Sequence, residues 1–253
     1  MGRFLGFVYG LIAYAMFLAA FLYAVGFVAG SFVPKSIDTG EPGDFVTSLL
    51  INAALLTVFA VQHSVMARPG FKAWWTQFVP RSIERSTYVV LSSLALGLLY
   101  WQWQPLPDVV WNVEDEAGGI ALWVLHASGW LLALASTFAI SHVDLFGLRQ
   151  VYLNLRNERY HSLNFRIGGL YRLVRHPLML GFLIAFWATP HMTVGHLVFA
   201  LATTAYILIA LQLEERDLIN DHGRKYLEYK NEVPMLLPLP RKQNQPVGAY
   251  EES

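Results

Sequence analysis

No cysteine occurs in the 253-residue chain. That absence excludes disulfides, a thiolate nucleophile and thiolate-ligated metals, and it leaves the redox compartment unmarked. Charge is scarce: 14% of residues are Asp, Glu, Lys or Arg, against about 25% in an ordinary soluble domain. Neither sign prevails, with 18 basic and 18 acidic residues, so nothing points to a nucleic-acid partner. Internal repeats and low-complexity runs are lacking, and no H-E-x-x-H or similar spacing occurs, so no catalytic metal is expected.

What the chain has instead is apolar residues, 55% of it, in long blocks. These cover residues 4–33, 45–67, 86–103, 120–141, 178–189 and 194–213. Runs of this length read as membrane helices. The expected fold is all-α: a polytopic membrane protein with five or six transmembrane helices, one domain over 1–253, its first four membrane helices within 1–141. The first block is too long for a signal-peptide core and no small-residue cleavage site follows it, so it counts as a helix. The fifth has 12 residues, about 18 Å of helix against a hydrocarbon core of ~30 Å, which leaves five or six crossings open. Trp74, Trp75, Trp101 and Trp103 stand at block ends, where amphipathic rings favour the membrane interface. With six crossings and a cytoplasmic N-terminus, 17 of the 18 basic residues fall inside, Arg166, Arg241 and Lys242 among them, and only Lys35 falls outside. So clean a split predicts both termini in the cytoplasm.

Three stretches carry chemistry. In Tyr171-Arg172-Leu173-Val174-Arg175-His176-Pro177-Leu178-Met179-Leu180-Gly181, Arg and His stand just before a proline that opens a helix. Proline suits the first turn, where free N–H groups and the positive helix dipole favour an anion such as a carboxylate. Gly181 allows close approach of a backbone or a ligand. The other reading makes Arg175 and His176 interfacial anchors of a basic loop. In the second stretch, Glu214-Glu215-Arg216-Asp217-Leu218, Glu214 shares a face with Leu218 while Glu215 points elsewhere. A carboxylate at membrane depth is either a functional group or half of a salt bridge to the Arg-rich loop. In the third, Tyr226 and Tyr229 lie three apart after Gly223, placed to pack on an adenine or against the interface.

Taken in order, Arg175-His176-Pro177-x-x-x-Gly181, Glu214-Glu215-x-x-Leu218 and Gly223-x-x-Tyr226-x-x-Tyr229 resemble the C-terminal signature of the isoprenylcysteine carboxyl methyltransferase superfamily, which also includes phospholipid methyltransferases. The resemblance implies a membrane-embedded enzyme that binds S-adenosylmethionine in a cytoplasmic pocket of residues 142–253. Tyr171, Arg175, His176, Pro177, Met179, Gly181, Glu214 and Tyr226 would then be the cofactor-binding residues. Two departures matter. The family often has Tyr where Met179 stands, and its carboxyl methyltransferases carry an Arg where this chain has Ala210. An anionic acceptor in an apolar cavity needs such a cation, so a neutral acceptor is expected. Outside that region the chain is similar to the bacterial methanethiol S-methyltransferases. The similarity rests on 33–40, 61–69 (Val61-Gln62-His63-Ser64-Val65-Met66-Ala67-Arg68-Pro69), 83–88 and 144–150. It implies a protein of the bacterial inner membrane that makes dimethyl sulfide.

A thiol acceptor must lose a proton before it attacks. His63, within the second block, and His142, at the end of the fourth, are the candidate bases, with Arg68 and Arg85 as stabilisers of the polar end. A His142–Asp144 couple requires a helix end between them. Each histidine is otherwise an interhelical hydrogen-bonding residue. His126, His191 and His196 read as structural or interfacial. Two rival classes stand beside the enzyme: a transporter, which the clustering of charge at one side disfavours, and a non-catalytic membrane protein of the kind linked to denitrification. Nothing in the sequence bears on oligomeric state.

Overall fold

The computed structural model describes residues 1–163 and 167–238; Arg166, Arg241 and Lys242 lie outside them. The apolar blocks form helices whose ends are set by caps and breakers. Helix α1 (Gly2–Ala29) stops at Gly30, in the left-handed conformation at φ 70°. Helix α2 (Phe45–Ala67) starts where the Asp44 side chain accepts the Thr47 N–H. It ends at Arg68, which Pro69 holds extended at ψ 140°. A short helix α3 (Pro69–Trp75) leads to α4 (Glu84–Gln102). After strand β1 (Val109–Asn112), Asp115 caps α5 (Glu116–Ile140). Two short helices, α6 (His142–Leu145) and α7 (Leu148–Leu155), and a 3-10 turn (Gly169–Arg172) precede α8 (Pro177–Trp187). Strand β2 (His191–Thr193), α9 (Val194–His222) and α10 (Arg224–Glu232) follow.

The all-α expectation needs one correction. β1 and β2 pair antiparallel, Val109 with Thr193 and Asn112 with His191. Short connections between helices must satisfy their own backbone groups, and here two of them do so against each other. The pairing also places the α8–α9 connection at the same end of the molecule as the α4–α5 connection.

Among the described residues four helices, α1, α2, α5 and α9, are long and apolar enough to cross a membrane, where five or six are expected. The two remaining blocks differ from them in distinct ways. Helix α4 runs the depth of α2, from Gln104 bonded to Asn52 at one end to Ser92 beside His63 towards the other. Its buried Ser86, Ser92 and Ser93 lower its hydropathy. Helix α8 has 11 residues, about 16 Å. It packs antiparallel on α5 through small residues. A Cβ at Gly181 would stand 2.6 Å from the Gly129 carbonyl oxygen and the Ala133 nitrogen, and one at Gly129 would stand 2.6 Å from Gly181 and Ala185 backbone. Small residues at i and i+4 on both helices permit this approach, the usual device of helix pairs in lipid.

One aromatic core holds the helices together near the strand end: Phe27, Tyr100, Trp103, Trp130 and Phe199. The outer faces carry exposed Leu11, Leu18, Leu22, Leu50, Val58 and Val61, as helices apolar all round require of a lipid surround. At the opposite end gather α3, α6, α7, the 3-10 turn, α10 and nearly all the described basic residues.

Candidate active site

The three C-terminal stretches meet around one carboxylate. Ile207, Leu211 and Glu215 form an i, i+4, i+8 stripe on the buried face of α9, and Glu215 is 2% exposed. Its Oε1 accepts from Arg175 Nε at 2.7 Å, with Nη2 at 2.6 Å, and lies 3.2 Å from His176 Nε2. Its Oε2 lies 2.7 Å from Lys230 Nζ on α10. Arg175 Nη1 donates to the carbonyls of Lys230 and Val233. The amides of Arg175 and His176 donate to the Pro234 and Met235 carbonyls, at 2.9 and 3.1 Å. Gly223, at φ 56°, turns the chain between α9 and α10 and brings the latter back across the start of α8.

Tyrosines close this assembly. The Tyr229 hydroxyl donates to the Tyr171 carbonyl at 2.6 Å, and its ring meets the buried Tyr226 at 5.8 Å. Burial pushes all three phenols up, Tyr229 to about 12, and the Glu214 charge adds to the effect at Tyr171.

Of the expected cofactor residues, the structure brings Tyr171, Arg175, His176, Pro177, Glu214 and Tyr226 into one neighbourhood. Their roles within it differ from the expectation. Arg175 is 4% exposed and spent on Glu215 and two carbonyls. Gly181 faces the α5 backbone. Glu214, 47% exposed at its side chain and 3.9 Å from His176 Nδ1, keeps an open carboxylate. Met179 is half-buried. His176 caps α8 without a side-chain bond, so the amides of Leu178 and Met179 find no partner among the described residues. Glu215 and Lys230 were not singled out in the sequence. The apolar i, i+4 stripe running into Glu215 is the signal that marks it.

The candidate base residues divide into two places. His63 lies between α2 and α4, its ring nitrogens 2.9 Å from the Tyr88 hydroxyl, its Nδ1 3.2 Å from Ser92 Oγ, and Phe59 stacked on its ring. From there polar contacts cross to α9: Ser64 donates to Tyr206 at 3.1 Å, and one turn on Arg68 pairs with Asp217 at 2.8 Å. Tyr206 and Asp217, eleven residues apart, share a helix face, and Glu214 sits between that face and the Glu215 side. His142 is held apart, between Tyr14 at 2.9 Å and Thr137 at 2.8 Å, stacked on Phe138. The helix end falls before His142, which shares α6 with Asp144, so the two do not couple, and Asp144 pairs with Arg85 and Arg149, at 3.3 and 3.0 Å. Arg85 thus belongs to the Asp144 cluster rather than to His63.

Comparison with known proteins places this arrangement in a family. A methanethiol S-methyltransferase of Mycobacterium tuberculosis is 56% identical over 242 residues, covering 96% of this chain and 99% of the relative. The chain belongs to the methanethiol S-methyltransferase family. Another relative of the same name, from Crocosphaera subtropica, is 53% identical over 91% of each chain. Residues 50–235 also match the NnrU protein family model, and Nurim of Mus musculus is 32% identical over 68% of this chain and 69% of its own. No solved structure matches.

Proposed function

We propose that the protein transfers a methyl group from S-adenosylmethionine to methanethiol, giving dimethyl sulfide. The observation that carries the reading is the joint placement, on either side of α9, of an uncapped α8 N-terminus with an open Glu214 carboxylate and a histidine cluster reaching into the membrane region. Kinship to relatives of that activity supports it.

The residues present suit the cofactor's polar groups. The unpartnered amides of Leu178 and Met179, at the positive end of α8, suit its carboxylate. Glu214 suits its ammonium or ribose hydroxyls, and the Tyr171 ring suits packing on its adenine, with the buried Tyr226 behind it. Arg175, Pro177 and Gly181 act behind them, as strut, helix start and packing residue. When bound, the cofactor supplies an electrophilic methyl on a sulfonium. The chain's part is to align the thiol sulfur and take up its proton. His63 receives the proton, with Tyr88 and Ser92 holding its ring. With the cofactor in place, the thiol sulfur would take the methyl as the sulfonium gave it up, leaving S-adenosylhomocysteine, while His63 kept the proton. A neutral thiol reaches the site from the lipid, and Ala210 offers no cation to a carboxylate acceptor.

The protein sits in the bacterial inner membrane with both termini cytoplasmic, so that the cofactor end meets the pool of S-adenosylmethionine. The 17-to-1 division of basic residues supports this, as does the β1–β2 pairing at the end bearing Lys35. The test is purified protein with methyl-labelled S-adenosylmethionine and a panel of volatile thiols, read by headspace analysis. Labelled dimethyl sulfide is expected. Methylation of a farnesylcysteine analogue with none of methanethiol would overturn the acceptor, and no methyl transfer to any acceptor would overturn the enzyme.

A further inference from the structure

A second cavity lies away from Glu215, at the same end of the molecule. It has a volume of about 320 Å³ and is lined by Lys72, Arg81, Glu84, Arg85, Gln150 and Tyr160. Behind three of these lining residues is the buried Asp144, which takes Arg85, Gln150 and Tyr160 as partners, and Arg149 as a fourth. Three cations, Lys72, Arg81 and Arg85, line the cavity with one carboxylate, Glu84. Asp144 takes up Arg85 and Arg149, whereas Lys72 and Arg81 make no ion pair among the described residues. Lys72 is held below the usual lysine range by burial and by the neighbouring Arg85.

Two further observations specify what fits. Gln150 is 5% exposed, and its Oε1 is a buried acceptor with no partner. A buried polar atom left unpaired is costly, so the site calls for a donor beside the negative charge. Beside the cavity, α3 and the turn after it present Phe71, Trp74, Trp75 and Phe78, packed ring to ring, with Trp74 and Phe78 exposed. Aromatics so placed seek the headgroup level of a bilayer.

The structure assigns this cavity to the headgroup of an anionic phospholipid: its phosphate lies against Lys72 and Arg81, and a headgroup hydroxyl donates to Gln150 Oε1. A basic pocket between helices at the membrane surface is a known form of lipid site, and a glycerol headgroup supplies both the charge and the donor. Choline supplies no donor, and a zwitterionic headgroup leaves the excess positive charge unmet.

The experiment is native mass spectrometry of the full-length protein taken from nanodiscs of phosphatidylcholine mixed with phosphatidylglycerol or with phosphatidylethanolamine. Wild type should keep one phosphatidylglycerol per chain, about tenfold or more in preference to the other two. The double variant Lys72→Ala, Arg81→Ala should lose that preference. Arg81→Ala alone, at an exposed position, should weaken it and keeps the test readable if the double variant does not fold. Affinity for S-adenosylhomocysteine should be unchanged in both. Equal retention of the three lipids, or of phosphatidylglycerol by wild type and variants, would overturn the proposal. So would displacement by millimolar inorganic phosphate or glycerol phosphate, which would make it a site for a soluble anion. Loss of S-adenosylhomocysteine binding in the variants would assign the cavity to the cofactor instead.

Discussion

Arg175 and Glu215 form a buried ion pair, 2.6 Å between Nη2 and Oε1, that joins the start of α8 to the C-terminal part of α9. Both side chains are 3% exposed. Removing one charge leaves the other buried without this ion-pair partner, a loss of roughly 3–5 kcal/mol. Glu215→Gln and Arg175→Met should therefore each lower the thermal midpoint of the detergent-solubilised protein sharply. Glu215→Gln should be the worse of the two, since it removes the carboxylate that Arg175 and Lys230 share, whereas Arg175→Met leaves Glu215 its contact with Lys230. A variant with a wild-type midpoint and no affinity for S-adenosylhomocysteine would make the residue a cofactor contact rather than a strut.

Gly181 separates packing from ligand binding more cleanly still. Its missing Cβ would meet α5 backbone at 2.6 Å, a distance that no side-chain rotation relieves. Gly181→Ala should force α5 and α8 apart and reduce the yield of folded protein, as should Gly129→Ala on the other side. Affinity for S-adenosylhomocysteine per folded molecule should change little. Well-folded Gly181→Ala protein that no longer binds the cofactor product would return Gly181 to the site.

Alkaline pH should loosen the same region. Burial raises the Tyr229 phenol from 10.0 to about 12, and raises Tyr171 and Tyr226 as well. A group whose folded pKa exceeds its unfolded value contributes its full share of stability below the unfolded pKa and loses it on passing through the folded one. Stability should thus be flat up to about pH 10 and fall from there towards pH 12. Tyr229→Phe should cost about 0.5–1.5 kcal/mol at neutral pH, through loss of the bond to Tyr171, and should make the alkaline fall shallower. Denaturant midpoints measured from pH 7 to 11 check both. An identical slope in the variant would remove Tyr229 from the effect.

Much of this was legible in the sequence because it depends on local chemistry. Pro177 opens α8 as its position after His176 implies, and α2 runs over the same residues, 45–67, as its apolar block. The pairing of β1 with β2 was not legible. It joins segments some eighty residues apart, one of them three residues long, with no alternating pattern to announce it. The family resemblance points to Glu214, whereas the apolar stripe of Ile207 and Leu211 runs into Glu215, one residue and about 100° further round the helix; the stripe does not say which element that face meets. For Arg175 and Gly181 the sequence alone does not separate a residue that touches a ligand from one that holds the fold, because either role favours the same residue type; the structure shows Arg175 bonded to Glu215 and Gly181 against α5.

Topology follows from charge and is tested independently of chemistry. Lys35 bonds the Trp101 carbonyl at the strand end, while Arg68, Lys72, Arg85, Arg149 and Arg175 lie at the other. A periplasm-only reporter fused after Ser253 should be silent, and the same reporter in the Pro105–Pro107 loop should be active. Activity at the C-terminal fusion would overturn the orientation, and equal activity at both would mean that the number of crossings between the two points is even.

The last prediction decides between His63 and His142. Both are enclosed by hydroxyl partners, so hydrogen bonding alone does not separate them. Position does. His63 stands one helical stretch above Arg68 and is linked through Ser64 and Tyr206 to the face of α9 next to Glu214. His142 is walled by Tyr14, Phe17, Phe138 and Phe146. His63→Asn should lower kcat by about 10²–10⁴-fold, the usual contribution of a general base, with affinity for S-adenosylhomocysteine intact. His142→Asn should act through stability and leave turnover per folded molecule near wild type. The decisive reading is the pH profile. With no base, the rate follows the fraction of thiolate already present, which rises about tenfold per unit below the thiol's own pKa. The His63→Asn enzyme should therefore recover steeply with pH while the wild type changes little. A variant whose profile parallels wild type has lost packing rather than a proton acceptor, and His63 would then be a positioning residue for Tyr88.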